Sequence, residues 1–108
     1  MNPLSFYKCL AEETRLKCLL LISQKQSLCV CDLVNALELS QPKISRHLSE
    51  LRKCELVQDE RRGKWVYYSL HPNLPTWARH VLTLTATSEP DFFAQEQSRI
   101  EQDDRSCC

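Results

Sequence analysis

The stretch "SQPKISRHLSELRK", residues 40–53, has the pattern of an amphipathic helix with a marked beginning. Ser40 suits the N-cap, and Pro42 falls in the first turn, where its missing N–H leaves no hydrogen bond unmade. Three apolar residues recur at i, i+4 and i+7 and predict a buried stripe: Ile44, Leu48 and Leu51. The opposite face carries Pro42, Arg46, Ser49 and Lys53. The stretch therefore predicts a helix with one apolar face and one basic face.

A shorter helix is expected before this one. Ser27 can cap a short helix whose apolar residues include Leu33 and Leu37. Further upstream, residues 5–21 have apolar residues at helical spacing, which predicts two helices joined near Glu13 and Thr14. A short helix, a tight turn and a basic-faced helix together indicate a helix–turn–helix.

Two strand-like runs follow, "LVQDE" and "KWVYYSL", separated by "RRG". The sole glycine, Gly63, falls where a hairpin turn needs positive φ. Three basic residues would make the hairpin a basic projection: Arg61, Arg62 and Lys64. The next predicted helix contains Trp77, Val81, Leu82 and Leu84. The predicted fold class is therefore mainly α with a small β-hairpin wing, a winged helix–turn–helix.

Charge is distributed unevenly along the chain, although the formal net charge is zero. Residues 41–64 contain seven Lys or Arg and four Asp or Glu, a net charge of +3. Residues 89–108 contain six acidic and two basic residues, a net charge of −4. We expect residues 1–88 to form the winged-helix domain and residues 89–108 to form a flexible acidic tail that ends in Cys107 and Cys108.

Composition also indicates the compartment. The densest apolar run, "LLLI" at residues 19–22, is far shorter than the ~20 residues that a membrane helix needs. The N-terminal segment lacks the basic, apolar and small-residue pattern of a secretory signal. We therefore expect a cytoplasmic protein with no membrane partner, in which thiols stay reduced. That location disfavours a disulfide framework, and the seven cysteines are an odd number in any case.

Cys29 and Cys31 are two positions apart, which leaves three interpretations open: a disulfide pair, part of a metal site, or two small buried hydrophobes. In a helix, residues two apart diverge by roughly 200°, whereas in an extended segment they share a face. A metal site built on thiolates would take a thiophilic ion. A thiol oxidoreductase is a distant alternative, because it would need Cys-x-x-Cys rather than Cys-x-Cys.

Four stretches, "LAEETRLKCLLLI", "LCVCDL", "LSQPKISRHLSELRKCELV" and "RRGKWVYYSLHPNLPTWA", resemble the ArsR/SmtB family of metal-sensing repressors, most of all its proteobacterial arsenical-resistance branch. The resemblance covers roughly residues 5–85. It implies a repressor rather than an enzyme, homodimeric through the first and last helices of the domain, which binds an inverted-repeat operator in double-stranded DNA without a cofactor. The DNA-binding residues that it implies are Ser40, Gln41, Lys43, Ser45, Arg46, His47, Arg61, Arg62 and Lys64.

The inducer implied by the resemblance is arsenite or antimonite, bound by the thiolates of Cys29 and Cys31. The arsenical branch often has a third cysteine three positions after the second, where this chain has Val34. Cys107 or Cys108 of the tail is therefore a candidate third ligand. A cadmium or lead sensor, a methylarsenite sensor and a repressor switched by thiol oxidation stay open as alternatives.

The expected mechanism depends on the conformation of the thiol pair. Cys29 and Cys31 should lie at the start of the first helix of the helix–turn–helix with their sulfurs diverging, so that binding one ion distorts the first turn. Cys9 and Cys18 are expected to be buried in apolar helices. Glu55 replaces the glycine that the family usually has after the recognition helix, which predicts a C-cap without glycine.

Overall fold

The computed structural model describes residues 1–102, and Cys107 and Cys108 lie outside this range. Within it the helices are α1 (Pro3–Leu10), α2 (Glu13–Lys25), α3 (Val30–Leu37), α4 (Gln41–Lys53), α5 (Thr76–Ser88) and α6 (Ala94–Gln102), with a 3₁₀ helix over Pro90–Phe93. The strands are β1 (Leu28–Cys29), β2 (Val57–Arg62) and β3 (Trp65–Leu70). They pair antiparallel in the order β1-β3-β2. This architecture confirms the predicted winged helix–turn–helix.

The core is built around α2, in which residues 18–22 are fully buried. Phe6 of α1 and Leu82 of α5 belong to the same cluster. Cys9 and Cys18 are 5% and 0% exposed, as the sequence predicted. The apolar run at residues 19–22 therefore forms part of the hydrophobic core. Among the described residues, no helix combines the length and the apolar character that a membrane span requires.

α3 and α4 form the helix–turn–helix. α3 ends at Glu38, which takes a left-handed conformation with φ of 57°. Ser40 begins α4 by accepting a hydrogen bond from the backbone N–H of Lys43 at 3.4 Å. The predicted apolar stripe is fully buried: Ile44, Leu48 and Leu51. The opposite face of α4 is left to solvent.

β2 and β3 form the wing. Arg62 lies opposite Trp65, which leaves Gly63 and Lys64 as a two-residue turn. Gly63 has φ of 65°, the positive value that was predicted. Arg61 and Arg62 belong to β2 rather than to the turn, so the strands extend further than the sequence indicated.

The end of α4 is closed without glycine. Cys54 is the C-cap, and Glu55 follows it with φ of 60°. Glu55 N–H donates to the carbonyl of Arg52 at 2.9 Å and Leu56 N–H to that of Leu51 at 3.0 Å, the pattern of a Schellman motif. Because a side chain in the left-handed region costs roughly 1–2 kcal/mol, Glu55 is a strained position.

The C-terminal segment folds back onto the domain as far as residue 102. Phe93 is 1% exposed within the core, and α6 packs against α3. Lys17 Nζ lies 3.0 Å from Glu96 Oε2, and Lys25 Nζ lies 3.4 Å from Glu101 Oε2. The sequence predicted a flexible tail from residue 89; residues 90–102 form helices, and the buried ring of Phe93 holds the start of this segment against the core.

Candidate dithiol site and nucleic-acid interface

Cys29 lies in a strand that the sequence did not reveal. β1 pairs with β3, so that Leu28 lies opposite Tyr68 and Cys29 lies opposite Tyr67. The backbone of Cys29 is extended, with φ of −84° and ψ of 163°, and the residue is 1% exposed. A strand of two residues is too short to show the alternation by which strands are recognised.

Cys29 is also the N-cap of α3, two residues later than the predicted cap Ser27. Asp32 at the N3 position completes a capping box, and its Oδ2 accepts a hydrogen bond from the backbone N–H of Cys29 at 3.0 Å. A carboxylate three residues after the N-cap is a known signal for the start of a helix. The spacing of Cys29 and Asp32 could therefore have located this start from the sequence.

The two sulfurs lie together. Cys29 Sγ and Cys31 Sγ are 3.0 Å apart, further than the ~2.05 Å of a disulfide bond. The prediction that the sulfurs diverge is wrong, because only Cys31 lies inside α3 while Cys29 precedes it in extended conformation. Cys29 is buried and Cys31 is half-buried. Two soft donors side by side fit a thiophilic ion.

The described part of the chain supplies two sulfur ligands to this site and no complete metal cluster. Val34, at the position of the family's third thiol, is half-buried. Nowhere in residues 1–102 do three or more His, Cys, Asp or Glu side chains converge in a way that could hold a metal ion. The candidate third ligands Cys107 and Cys108 lie outside the described residues.

The solvent side of α4 carries most of the predicted DNA-binding residues. Five are exposed: Ser40, Gln41, Lys43, Ser45 and Arg46. His47 differs, since its side chain is 17% exposed and its Nδ1 lies 3.7 Å from Glu12 Oε1 at the start of α2. The structure therefore separates His47 from the other five residues.

The wing carries three exposed basic residues with different surroundings. Arg62 forms an ion pair with Glu60 at 2.9 Å, and its guanidinium lies 4.6 Å from the ring centre of Tyr67. Lys64 Nζ lies 5.4 Å from the ring centre of Trp65. Arg61 is exposed on β2. The aromatic residues of the wing thus pack against its basic side chains.

An ion pair fixes the wing relative to α4. Arg52 Nη1 near the end of α4 lies 3.0 Å from Asp59 Oδ2 on β2. Both side chains are partly exposed, so the pair contributes little to stability. Its effect is geometric, because it ties together the two elements that carry the exposed basic residues.

α1 and α5 together expose an apolar patch. Phe6 and Trp77 meet edge to face with ring centres 5.0 Å apart, and Tyr7 lies 6.4 Å from Trp77. Leu4 is 62% exposed and Leu84 is 67% exposed. Large apolar side chains grouped on one surface mark an interaction surface more often than scattered ones do.

Known proteins are similar in sequence to this chain. Residues 12–59 match the family described as "Bacterial regulatory protein, arsR family". Over 100 residues, 93% of this chain and 78% of the relative, the sequence is 44% identical to an arsenic resistance transcriptional regulator of Pseudomonas putida. Over 80 residues, 74% of this chain and 68% of the relative, it is 52% identical to the arsenical resistance operon repressor of Escherichia coli. The chain belongs to the ArsR family.

A solved structure matches this fold as well. HlyU from Vibrio cholerae has a TM-score of 0.74 at 30% identity, covering 82% of this chain and 91% of that chain. Membership of the ArsR family confirms the resemblance drawn from the motifs. Because the family consists of regulatory proteins, the thiol oxidoreductase alternative falls away. Both the thiol pair and α4 lie inside the matched residues 12–59.

Proposed function

We propose that this ArsR-family chain is a metalloid-responsive transcriptional repressor. It binds operator DNA as a homodimer and leaves the DNA when trivalent arsenic or antimony binds Cys29 and Cys31. The observation that carries the proposal is the 3.0 Å separation of the two sulfurs at the start of the helix–turn–helix. Relatives named as regulators of arsenic resistance support this choice of inducer.

In this proposal the solvent side of α4 enters the major groove. Gln41, Ser45 and Arg46 read base edges, with Arg46 suited to bidentate recognition of guanine. Ser40 and Lys43 contact phosphates and fix the orientation of the helix. All five are exposed in the structure, which leaves them accessible to DNA. His47 is left out because it is turned towards Glu12.

The wing contributes phosphate contacts beside the groove. Arg61 and Lys64 supply positive charge near the tip of the hairpin. Arg62 contributes less, because Glu60 already neutralises its charge at 2.9 Å. Each phosphate contact releases counterions, so binding should weaken as salt rises.

The apolar patch on α1 and α5 is the proposed dimer interface. Leu4, Tyr7, Trp77 and Leu84 would be covered by the same patch of a second copy, as a two-fold interface requires. Two α4 helices related by that axis would enter successive major grooves about 34 Å apart. The operator is then an inverted repeat.

A trivalent metalloid takes three ligands, and Cys29 and Cys31 supply only two of them. Lys25, four residues before Cys29, is 3.4 Å from Glu101 near the end of α6. The five residues that follow Gln102 and end at Cys107 can span roughly 17 Å when extended. Cys107 or Cys108 can therefore serve as the third ligand. A hydroxide, or the methyl group of methylarsenite, would complete the site without the tail.

The contacts of the two sulfurs suggest how binding reaches the DNA. Cys29 belongs to β1, which is hydrogen-bonded to wing strand β3, whereas Cys31 belongs to α3, which packs on α4. An ion bound by both sulfurs links the wing strands to the helix–turn–helix and changes their relative orientation. Moving an operator equilibrium from 99:1 to 1:99 takes about 5.5 kcal/mol of differential binding. Two metalloid–sulfur bonds are strong enough to supply this.

The test is inducer-dependent release of DNA. A labelled duplex from upstream of the chain's own gene is titrated with protein at low salt, and arsenite, antimonite, cadmium, lead or zinc is then added. We expect tight binding and release by arsenite and antimonite. Absence of DNA binding would overturn the proposal that the chain is a repressor. Release by cadmium or lead alone would establish a divalent-ion sensor, and release by peroxide alone would establish a thiol-redox switch.

A further inference from the structure

A second pair of thiols lies between α1 and the end of α4. Cys9 Sγ donates a hydrogen bond to the carbonyl of Glu50 at 3.8 Å. The backbone N–H of Cys54 donates to the same carbonyl at 3.1 Å. The two residues meet at one carbonyl, and both thiols are free. Two cysteines that are 45 positions apart in the sequence thus lie beside the same backbone carbonyl.

This pair can be reached from solvent through one of its members. Cys54 is half-buried and lines a cleft of about 430 Å³ between the start of α1 and the end of α4. Cys9 does not line the cleft and is 5% exposed. Cys18 offers a contrast within the same chain, because it is 0% exposed inside α2.

We propose that Cys9 and Cys54 form a second dithiol site, which takes a trivalent metalloid hydroxide and bridges α1 to the recognition helix. Each thiol exchanges its S–H bond for a bond to the metalloid, and its proton leaves with a displaced hydroxide as water. Arsenous acid and two thiols thus give a dithiolate with one remaining hydroxyl and two waters. No atom changes oxidation state and no net proton is released.

This exchange suits the environment of the pair. Burial, reinforced by the neighbouring Cys54 thiol, raises the pKa of Cys9 to about 12, so the thiol keeps its proton at neutral pH. A divalent cation needs ionised thiolates and must expel both protons. In a metalloid hydroxide, each hydroxide that leaves accepts the proton of the thiol that replaces it, so no thiol has to ionise beforehand. The site should therefore favour trivalent metalloids over zinc or cadmium.

The bridge would act on different elements from those joined at Cys29 and Cys31. Cys9 shares α1 with Phe6 and Tyr7, whose rings pack on Trp77 of α5 in the apolar patch. Cys54 caps α4. An arsenical bound to Cys9 and Cys54 would link the end of α4 to α1, which carries part of the apolar patch. This link would form whether or not Cys29 and Cys31 are occupied.

The test uses a full-length chain that lacks every other candidate thiol pair. Replacing Cys29, Cys31, Cys107 and Cys108 by serine leaves only Cys9, Cys18 and Cys54. The probe is phenylarsine oxide, which condenses with two thiols and releases one water. Intact-mass spectrometry of the folded protein should show one phenylarsenical per chain, and excess zinc at neutral pH should not prevent its formation.

Two further substitutions in that background decide the assignment. Adding Cys54→Ser should abolish the adduct, while adding Cys18→Ala as a matched control should leave it in place. Thermal unfolding establishes that each variant is folded. An unmodified four-serine variant, or an adduct that survives Cys54→Ser, would overturn the second site. Neither result would affect the proposed role of Cys29 and Cys31, because the four-serine variant lacks these two cysteines.

Discussion

Cys29 lies directly opposite Tyr67 in the sheet, so the strand that holds one sulfur is hydrogen-bonded to the strand that forms the wing. Cys31, whose sulfur is 3.0 Å from that of Cys29, belongs instead to the first helix of the helix–turn–helix. The sulfur pair therefore stands at the junction of the two parts that carry the exposed basic residues. A ligand held there needs no long pathway to influence either part.

Arg46→Ala should weaken operator binding by ~1–3 kcal/mol and relax the sequence preference, because its exposed guanidinium is free to reach a base edge. Arg62→Ala is the matched control and should cost less, since Glu60 at 2.9 Å already pairs with that charge. Fluorescence anisotropy on operator and scrambled duplexes measures both effects. An equal or larger loss for Arg62→Ala would contradict the assignment of base reading to α4.

Phe93→Ala should lower the free energy of unfolding by about 3–5 kcal/mol, the range for removing a buried phenylalanine ring. The neighbouring Phe92 is 38% exposed, whereas Phe93 is 1% exposed. Phe92→Ala should therefore cost much less. Urea unfolding of the two variants measures the difference. Similar stabilities would mean that the segment after α5 does not anchor on the core.

Glu55→Gly should stabilise the protein by about 1 kcal/mol, because glycine has no Cβ to oppose the left-handed conformation. Glu55 has φ of 60° and closes the Schellman motif after α4. Glu55→Ala serves as the control, since alanine keeps the Cβ and should give no such gain. Chemical denaturation measures both changes. Equal stabilisation by alanine would point to the glutamate charge rather than to the backbone.

Stability should fall as the pH rises from about 9 towards 12, because Cys18 stays protonated in the folded protein. Burial raises the pKa of the Cys18 thiol from its usual 9.0 to about 12. The unfolded chain ionises this thiol first, so its contribution is fully present below pH 9 and is lost with a slope of about 1.4 kcal/mol per pH unit. Urea unfolding at several alkaline pH values measures the slope. Cys18→Ala should be less stable but should show a shallower dependence, and an unchanged slope would rule out this thiol as its source.

The sequence predicted the parts of the fold that have strong local signals. The stripe of Ile44, Leu48 and Leu51, the cap at Ser40 and the glycine turn at Gly63 are each found as predicted. These features depend on spacing and on backbone preferences within a few residues. They needed no knowledge of distant contacts.

The sequence failed where distant contacts decide the structure. β1 exists because it pairs with β3, nearly forty residues later in the chain, and two residues carry no periodic signal of their own. The same pairing holds Cys29 extended, which is why the sulfurs meet instead of diverging. Phe93 anchors the C-terminal segment through contacts that its acidic neighbours conceal. His47, which was predicted to bind DNA, is 17% exposed and lies beside Glu12 at the start of α2, a neighbour that its own sequence segment does not reveal.

The central claim is that one ion on Cys29 and Cys31 removes the protein from DNA. Its most direct test is operator anisotropy with Cys29→Ser, Cys31→Ser and, as a control outside the site, Cys18→Ala. All three proteins should bind the operator as the wild type does, and arsenite should release only the wild type and Cys18→Ala. Arsenite-dependent release that persists in both serine variants would contradict the account.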